Sequence, residues 1–216
     1  MKPNQHEYVP AAGHDLFLPL YDPLTRLFGF ARLRRGLLAR AALRPGERVL
    51  DVGCGTGTLL VAIGRAHPEV EAVGLDPDPK ALARAGRKLR RAGLTAALTQ
   101  ASASALPFAA GSFDCVLSSF MFHHLDAAAQ QRMLSEVLRV LKPGGRLELM
   151  DFAGKHESGH GGPGRWLLAR GGNAEDEVLQ SMQRAGFAEV RVVTRARSWF
   201  GALAHYQARR ALEPVA

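Results

Sequence analysis

The sequence predicts an α/β fold: a Rossmann-like, doubly wound, seven-stranded sheet, mostly parallel with one antiparallel strand, and with helices on both faces. Two observations lead to this fold class. Short apolar strand patterns alternate with segments of helical periodicity, and a glycine-rich turn joins the first strand to its helix. Strands linked through helices pair in parallel by right-handed crossovers, which places helices on both faces of one sheet.

The first half of the chain carries clear helix boundaries. Arg44-Pro45-Gly46 ends the first helical pattern, and Asp78 followed by Pro79 begins a later one as N-cap and first helical residue. That later helix has a basic face that includes Lys88, which we interpret as facing solvent. The predicted elements are a helix over 24–43, a strand over 48–52, a helix from 57 to about 66, a strand over 70–75, a helix to about 92 and a strand over 95–100.

The second half continues the alternation and ends in strands. Asp126 is a suitable N-cap for a helix that Lys142-Pro143-Gly144-Gly145 stops, and the glycine- and histidine-rich stretch 153–173 predicts a flexible loop. The predicted elements are a strand over 113–118, a helix from 126, a strand over 146–151, a helix over 174–185, and strands over 188–194 and 200–207. We expect the last strand to run antiparallel to its neighbours.

Composition limits the cellular setting and the partners. A chain of 216 residues suits one ordinary domain. Cys54 and Cys115 lie far apart, residues 1–7 lack the apolar core of a signal peptide, and no apolar run approaches the roughly 20 residues of a membrane span. We therefore expect a cytoplasmic protein. The net charge of +8 leaves an anionic partner open, but the arginines are scattered, which makes nucleic acid the less favoured partner.

The glycine turn after the first strand is the predicted ligand site. Gly53, Gly55 and Gly57 allow close approach of a ligand to the main chain, and the following helix points its amide groups toward the site. A dinucleotide turn needs a third glycine where this chain has Thr58 or Leu60, and no phosphate-binding P-loop occurs. These features disfavour NAD and nucleoside triphosphates.

Two acidic residues at strand ends indicate a different ligand. Asp51 lies two residues before the first glycine, where a carboxylate suits an ammonium or sulfonium group better than a pyrophosphate. Asp76 ends the second strand, the position from which a carboxylate accepts hydrogen bonds from ribose hydroxyls. Together they indicate an adenosine compound whose far end is zwitterionic.

Four segments in order resemble the motifs of class I S-adenosylmethionine-dependent methyltransferases. They are Val49-Leu50-Asp51-Val52-Gly53-Cys54-Gly55-Thr56-Gly57, Val73-Gly74-Leu75-Asp76, Ala105-Leu106-Pro107-Phe108 with Gly111-Ser112-Phe113-Asp114, and Leu138-Arg139-Val140-Leu141-Lys142-Pro143-Gly144-Gly145. The pattern is most similar to the ubiquinone/menaquinone branch and its small-molecule relatives. The resemblance implies methyl transfer from S-adenosylmethionine, with S-adenosylhomocysteine as product, to a small acceptor. It also implies an N-terminal lid and helix over 1–44 before a methyltransferase domain over 45–216.

The resemblance further implies a set of cofactor contacts along the strand ends. Asp51 would lie near the ammonium group, Asp76 would hold the ribose, and Pro77 would flank the adenine. The family usually has Asp or Asn where this chain has Ser102, whose shorter side chain departs from the family's pattern at the adenine contact. The complete set is Asp51, Gly53, Gly55, Thr56, Asp76, Pro77, Ser102, Ala103 and Ser119.

Three residues are candidates for catalysis. His123 and His124 follow the fourth strand, where a general base could deprotonate an acceptor, or where they could simply cap and pack. Tyr21 lies in the segment that covers the cofactor in relatives, where it could approach the sulfonium or pack on the first helix. His156 and His160 form no convincing metal set, and we expect no metal.

Two other functions stay open at this stage. The basic composition keeps an RNA or other nucleic-acid methyltransferase possible, although no Asn-Pro-Pro-aromatic tetrad of the kind used on exocyclic base nitrogens is present. A non-catalytic S-adenosylmethionine-binding protein would also explain the glycine turn, and Ser102 is the residue that favours it. The acceptor's identity and the oligomeric state are not encoded in any pattern that we recognise.

Overall fold

The fold is a single seven-stranded sheet, as expected. The computed structural model describes residues 30–153, 175–198 and 201–212, with the backbone alone at 30, 31, 197 and 198. The strands are β1 (Arg48–Val52), β2 (Glu71–Asp76), β3 (Ala97–Gln100), β4 (Phe113–Ser119), β5 (Leu141–Phe152), β6 (Ala188–Ser198) and β7 (Gly201–Arg209). Their order in the sheet is β3-β2-β1-β4-β5-β7-β6.

The pairing of the strands confirms the predicted topology. β1 pairs in parallel with β2 and with β4, and the parallel pairing continues outward to β3 and β5. β7 lies between β5 and β6 and is antiparallel to both. Chain order therefore reverses between β1 and β4, which makes the carboxyl ends of these two strands the expected ligand edge.

Helices cover both faces of the sheet. The described helices are α1 (Phe30–Ala41), α2 (Thr58–Ala66), α3 (Pro79–Arg91), α4 (Ala127–Val140) and α5 (Glu175–Arg184). Buried residues of α1, α2 and α3, including Leu37 and Ile63, join one hydrophobic cluster on the sheet. Those of α4 and α5, including Met133 and Met182, join the other. The two clusters use alternate residues of β1, as a sheet covered on both faces requires.

The predicted caps are present. The Asp78 carboxylate accepts a hydrogen bond from the Lys80 amide at 2.8 Å, and that of Asp126 accepts one from the Ala129 amide at 2.7 Å. These bonds satisfy amides that the first turns of α3 and α4 would otherwise leave unpaired. Both helices therefore begin where the sequence places them.

Strand β5 is longer than predicted. Helix α4 ends at Val140, as the Lys142-Pro143-Gly144-Gly145 stop signal indicates, but the strand begins directly at Leu141. The pairing shifts register between Phe113 and Cys115, because extra residues of β5 bulge out opposite β4. The residues of the stop signal therefore form an irregular start of β5. Only the regular part of β5, from Arg146 on, matches the predicted strand over 146–151.

An ion pair ties the end of α1 to the sheet. The Arg146 guanidinium on β5 forms two hydrogen bonds with the Glu47 carboxylate, at 2.7 and 2.9 Å, and donates to the Ala41 carbonyl at 2.7 Å. Burial acts to raise the pKa of Glu47, but the bonds from Arg146 and from the Arg44 amide outweigh it and lower that pKa. Helix α1 is thereby held against β1 and β5.

No helix in the described part of the chain has the length and hydropathy needed to cross a bilayer. The division into residues 1–44 and 45–216 stays a prediction, because most of the first segment lies outside the described ranges.

Gly57 offers a test of how tightly α2 and α3 pack. Its φ is +74°, and a Cβ there would lie 2.8 Å from the Ala85 Cβ, whereas Gly93 has a φ of +67° with nothing within 4 Å. Both alanine variants carry the left-handed backbone cost of about 1–2 kcal/mol. We expect Gly57→Ala to lose about 1–3 kcal/mol more than Gly93→Ala, because it also overpacks the helices. Urea unfolding of the two variants measures this, and equal losses would show that the helices yield freely.

Candidate active site

The glycine turn folds back over the tip of β2. The amides of Gly53 and Cys54 both donate to the Leu75 carbonyl, at 2.8 and 3.0 Å. The Gly55 amide donates to Oδ2 of Asp76 at 2.8 Å. These three bonds join the loop after β1 to the end of its neighbour, so the loop and both acidic residues form one unit.

Two of the glycines have different physical roles. At Gly53 the φ is +73°, and a Cβ would clash with the Met121 side chain, which already occupies that side. At Gly55 the φ is +52°, and a Cβ would meet nothing within 4 Å among the described residues. Gly55 therefore presents open main chain to which a ligand has access.

Asp51 is a buried carboxylate that the described residues leave without a hydrogen bond. Its side chain is 1% exposed, and neither carboxylate oxygen has a partner in the described part of the structure. Burial raises its pKa to about 7, against the attraction of Arg34 and with a smaller contribution from Asp76. A buried acid with both oxygens unpaired is costly, and such exceptions indicate a ligand. A cationic group is the ligand that this acid suits.

Arg34 is a site residue that the sequence analysis missed. It lies on α1, is 8% exposed, and places its guanidinium carbon 5.9 Å from the centre of the Phe120 ring. Its charge acts on Asp51, so a buried cation and a buried anion lie close together near the end of β1. The sequence does indicate this burial, because the helical spacing of Arg34 from Ala31 and Leu38 places it on the apolar face of the helix.

Asp76 has a structural role in addition to the one predicted. Its carboxylate accepts hydrogen bonds from the Gly55 amide and, at 2.9 Å, from the Asp78 amide. Burial raises its pKa despite those two bonds. Each oxygen keeps a further lone pair, so the same carboxylate has the capacity to accept from hydroxyl groups. The ribose contact stays a prediction.

Thr56 has a lysine neighbour. The Lys88 ammonium on α3 donates to the hydroxyls of Thr56 and Thr58, at 2.9 and 2.8 Å. Our interpretation of Lys88 as part of a solvated face is therefore wrong. It bridges α3 to the glycine loop, because its long side chain reaches back across the helix packing that Gly57 permits.

The predicted adenine contacts lie beyond the end of β2 and β3. Pro77 is half-buried, and its carbonyl accepts a hydrogen bond from the Gln100 side chain at 3.3 Å. Ser102 is exposed and its hydroxyl accepts a bond from the Ser104 amide, while Ala103 is buried in the core. These contacts account for a local turn, and the three adenine roles stay predictions.

The end of β4 holds two serines with different surroundings. Ser118 is fully buried and its hydroxyl donates to the Val52 carbonyl at 3.1 Å, which joins β4 to β1. Ser119 is the last residue of the strand and is half-buried. Its predicted cofactor contact stays a prediction.

The histidine pair lies in a 3₁₀ turn, Phe122–His124, after β4. Asp151, at the end of β5, binds His123 twice: its Oδ2 accepts from the His123 amide at 3.0 Å, and its Oδ1 lies 2.5 Å from Nδ1. The His124 ring lies 4.0 Å from that of His123, centre to centre. The sequence predicts only a strand end at Asp151, because no local pattern connects it to a histidine 28 residues earlier.

Comparisons with known proteins agree with this geometry. Residues 49–145 match the family model described as a methyltransferase domain. The demethylmenaquinone methyltransferase of Thermus thermophilus is 40% identical over 137 residues, 62% of this chain and 61% of that protein. Just under half of the chain therefore resembles a methyltransferase domain. The ubiquinone/menaquinone biosynthesis C-methyltransferase of Syntrophotalea carbinolica is 39% identical over 142 residues, 64% of this chain and 59% of that protein.

The fold comparison covers more of the chain. A methyltransferase structure from Aquifex aeolicus, described as S-adenosylmethionine-dependent, has a TM-score of 0.66 at 21% identity, covering 88% of this chain and 98% of that one. The family resemblance and the fold class are confirmed. The chain spans only about three fifths of the length of the two curated relatives, so the activity of the whole protein is a separate question.

The remaining polar candidates do not add to the site of the methyltransferase domain. Both cysteines are buried, and burial raises the pKa of each thiol, which opposes a nucleophilic role. The described ranges contain no cluster of histidine, cysteine or carboxylate side chains suited to a metal. Tyr21, His156 and His160 lie outside the described residues.

The unpaired Asp51 carboxylate makes a prediction about stability. Its folded pKa of about 7 lies above the value of an unfolded aspartate, so the folded state loses stability as the pH rises toward 7. Asp51→Asn removes this loss, and we expect the variant to gain about 2 kcal/mol more at pH 8 than at pH 5. Urea unfolding at both pH values measures the difference.

The exposed Asp176 gives a matched control, since Asp176→Asn makes the same chemical change on the surface. A gain at Asp51 that does not vary with pH, or one equal to that of Asp176→Asn, would contradict a raised pKa at the buried site.

Proposed function

We propose that the protein is an enzyme that transfers a methyl group from S-adenosylmethionine to a small, hydrophobic acceptor by in-line displacement. The observation that carries the proposal is the buried Asp51 carboxylate, unpaired among the described residues, beside the open main chain at Gly55. A phosphate would be repelled there, whereas a ligand with a positively charged amino acid end would satisfy the buried charge.

The charges around the loop suit both ends of an amino acid. Asp51 would accept from the ammonium group, and Arg34, whose charge already acts on Asp51, would face the carboxylate. Asp76 lies at the end of the neighbouring strand and is joined to the loop by the hydrogen bond from the Gly55 amide. It would accept hydrogen bonds from the ribose hydroxyls. The residues present therefore fit S-adenosylmethionine, and the fit depends on no residue outside the described ranges.

The chemistry required of the protein is mainly alignment. The bound sulfonium supplies an activated methyl group, so the chain's own residues have to hold the acceptor in line and exclude water. Positioning of this kind is worth about 7 kcal/mol or more in favourable cases. The aromatic side chains of Phe120 and Phe152, at the ends of β4 and β5, lie with their ring centres 5.7 Å apart and would supply an apolar wall for the acceptor.

The names of the relatives support an acceptor of the quinone type. Both are described as acting in demethylmenaquinone methylation or in ubiquinone/menaquinone biosynthesis. A methyl cation equivalent attacks only an electron-rich carbon, so the reacting form would be the reduced quinol. The alternatives of a nucleic-acid acceptor and of binding without turnover, the cytoplasmic location and the oligomeric state stay untested predictions.

Two ligands separate the roles of the two acids. S-Adenosylhomocysteine carries the amino acid end, and 5′-methylthioadenosine lacks it. We expect Asp51→Asn to weaken the binding of S-adenosylhomocysteine by at least tenfold and to leave the binding of 5′-methylthioadenosine unchanged, because only S-adenosylhomocysteine has an ammonium group. Calorimetric titration measures both affinities, and equal weakening of the two ligands would refute the role of Asp51.

Asp76→Ala should weaken the binding of both ligands, because both contain the ribose. The neighbouring variant Asp78→Ala controls for damage to the loop: Asp78 caps α3, and its loss costs about 1 kcal/mol of stability without removing a predicted ligand contact. If Asp78→Ala weakens the ligands as much as Asp76→Ala does, the effect is structural and the ribose role is wrong.

The pH dependence of binding follows from the raised pKa of Asp51. Below pH 7 the carboxyl is protonated, and binding of the ammonium group requires release of that proton. We expect the affinity for S-adenosylhomocysteine to fall by up to about tenfold per pH unit below 7. Titrations in two buffers of different ionisation enthalpy count the released protons, and the proton release should disappear in Asp51→Asn.

A further inference from the structure

The contacts of Asp151 determine the chemical state of the His123 ring. Besides its two bonds to His123, the Asp151 carboxylate accepts from the Phe152 amide at 2.7 Å. The two backbone N–H groups of His123 and Phe152 thus donate to the Asp151 carboxylate, which as a carboxylate only accepts hydrogen bonds and has no proton to donate. Nδ1 of His123 must then carry the hydrogen in the bond to Asp151. The lone pair of the neutral ring is left on Nε2.

The environment of His123 leaves that second nitrogen for a ligand. The side chains of His123 and Asp151 are 8% and 4% exposed, so the pair is screened from solvent. Within the described ranges the structure has no hydrogen bond from Nε2 to protein. The ring also contacts the edge of Phe152, with 5.1 Å between ring centres. A fixed, basic nitrogen beside an aromatic side chain is the arrangement required of a general base.

The position of the 3₁₀ turn connects this pair to the cofactor loop. Met121, two residues before His123, occupies the space over Gly53 that a Cβ would need. His123 therefore lies two residues after a side chain that packs over the first glycine of the loop. Asp151 binds His123 directly, and His124 contacts that pair through its ring.

We propose that His123 is the general base for the acceptor and that Asp151 is its positioning residue, which holds the ring and fixes the proton on Nδ1. This inference rests on the proposed methyl transfer and adds that the acceptor carries an acidic hydroxyl group, as a phenol or hydroquinone does. The acceptor's O–H bond breaks, and its proton goes to Nε2. The oxygen's electron pair then drives attack on the methyl group by that oxygen or by the adjacent ring carbon.

The bonds balance in either case. As the new bond to the methyl carbon forms, the C–S bond breaks, and its electron pair goes to sulfur to give S-adenosylhomocysteine. After attack by carbon, the ring proton at that carbon is lost and the oxygen takes its proton back from Nε2 of His123, which restores both the aromatic ring and the hydroxyl group. One proton is released overall, and no oxidant or reductant takes part once the acceptor is in its hydroxyl form.

The test measures methyl transfer from labelled S-adenosylmethionine to a chemically reduced, short-chain demethylmenaquinone. We expect His123→Gln and Asp151→Asn each to lower kcat by about 10²–10⁴-fold at pH 7.5, with KM for S-adenosylmethionine changed less than threefold. His67→Gln and Asp126→Asn are the matched controls, since both residues lie outside the site and serve helix ends. Unchanged S-adenosylhomocysteine binding in all four variants separates failure of this inference from failure of the proposed function.

A pH profile distinguishes a base from a structural residue. Above pH 9.5 the quinol ionises in solution and needs no base, so the deficit of His123→Gln should shrink to about tenfold or less. The titratable groups that face the pair are His124 in the same turn and Tyr206 on β7, whose hydroxyl is buried and whose pKa is raised by burial and by the charges of Glu175 and Asp151. Tyr206→Phe should leave the shape of the profile unchanged.

Nitrogen NMR of the complex with S-adenosylhomocysteine gives an answer that needs no turnover. We expect the proton on Nδ1 of His123 in the native protein and a loss of this preference in Asp151→Asn. A proton on Nε2, a deficit that does not shrink at high pH, full activity of Asp151→Asn, or loss of activity in His124→Gln but not in His123→Gln would overturn the proposal. So would bound cofactor with no turnover of any phenol or quinol in a panel.

Discussion

The site depends on a carboxylate that the fold buries without satisfying. Asp51 lies on a central strand between β2 and β4, and among the described residues nothing donates to it. A buried carboxylate without hydrogen bonds is tolerated when a bound ligand supplies the missing partner. The raised pKa of Asp51 means that the protein reduces the cost by binding a proton until a better cation arrives. Ligand affinity and loss of stability thus come from the same group.

The glycine loop gives that charge its selectivity. Bonds from Gly53 and Cys54 to the end of β2 and from Gly55 to Asp76 hold the loop in one shape, and Lys88 anchors the threonines that follow. A loop fixed from behind by hydrogen bonds presents its open side without further ordering, so the ligand loses less binding free energy in shaping it. Asp76 is the centre of this arrangement, because it is both part of the loop's support and a candidate for the ligand.

Sequence reasoning succeeded where the physics is local. Strand and helix order and the caps at Asp78 and Asp126 follow from periodicity and capping chemistry, and they are present in the described residues, as is the expected antiparallel last strand. It failed where a contact joins distant segments. The Asp151 bond to His123, the burial of Arg34 against Phe120 and the bulged start of β5 depend on how whole elements pack. A residue-type pattern contains no information on which strand end meets which turn.

The alternation of side chains along the strands places the two charged functions on opposite faces of the sheet. Asp51 lies two residues after Val49 on β1, so both side chains point to the same face of the sheet. Val49 belongs to the cluster under α1, α2 and α3. Asp151 points to the same face of β5 as Leu147 and Leu149, which belong to the cluster under α4 and α5. Strand β4 lies between them, so neither carboxylate is able to satisfy the partner of the other.

This separation has a chemical consequence. A cofactor cation paired with Asp151 would compete with His123 for the same oxygens, and a histidine beside Asp51 would remove the need for a ligand. With the acids on different faces, the proposed cation site and the proposed proton site share no carboxylate, although both lie at the ends of strands that neighbour β4.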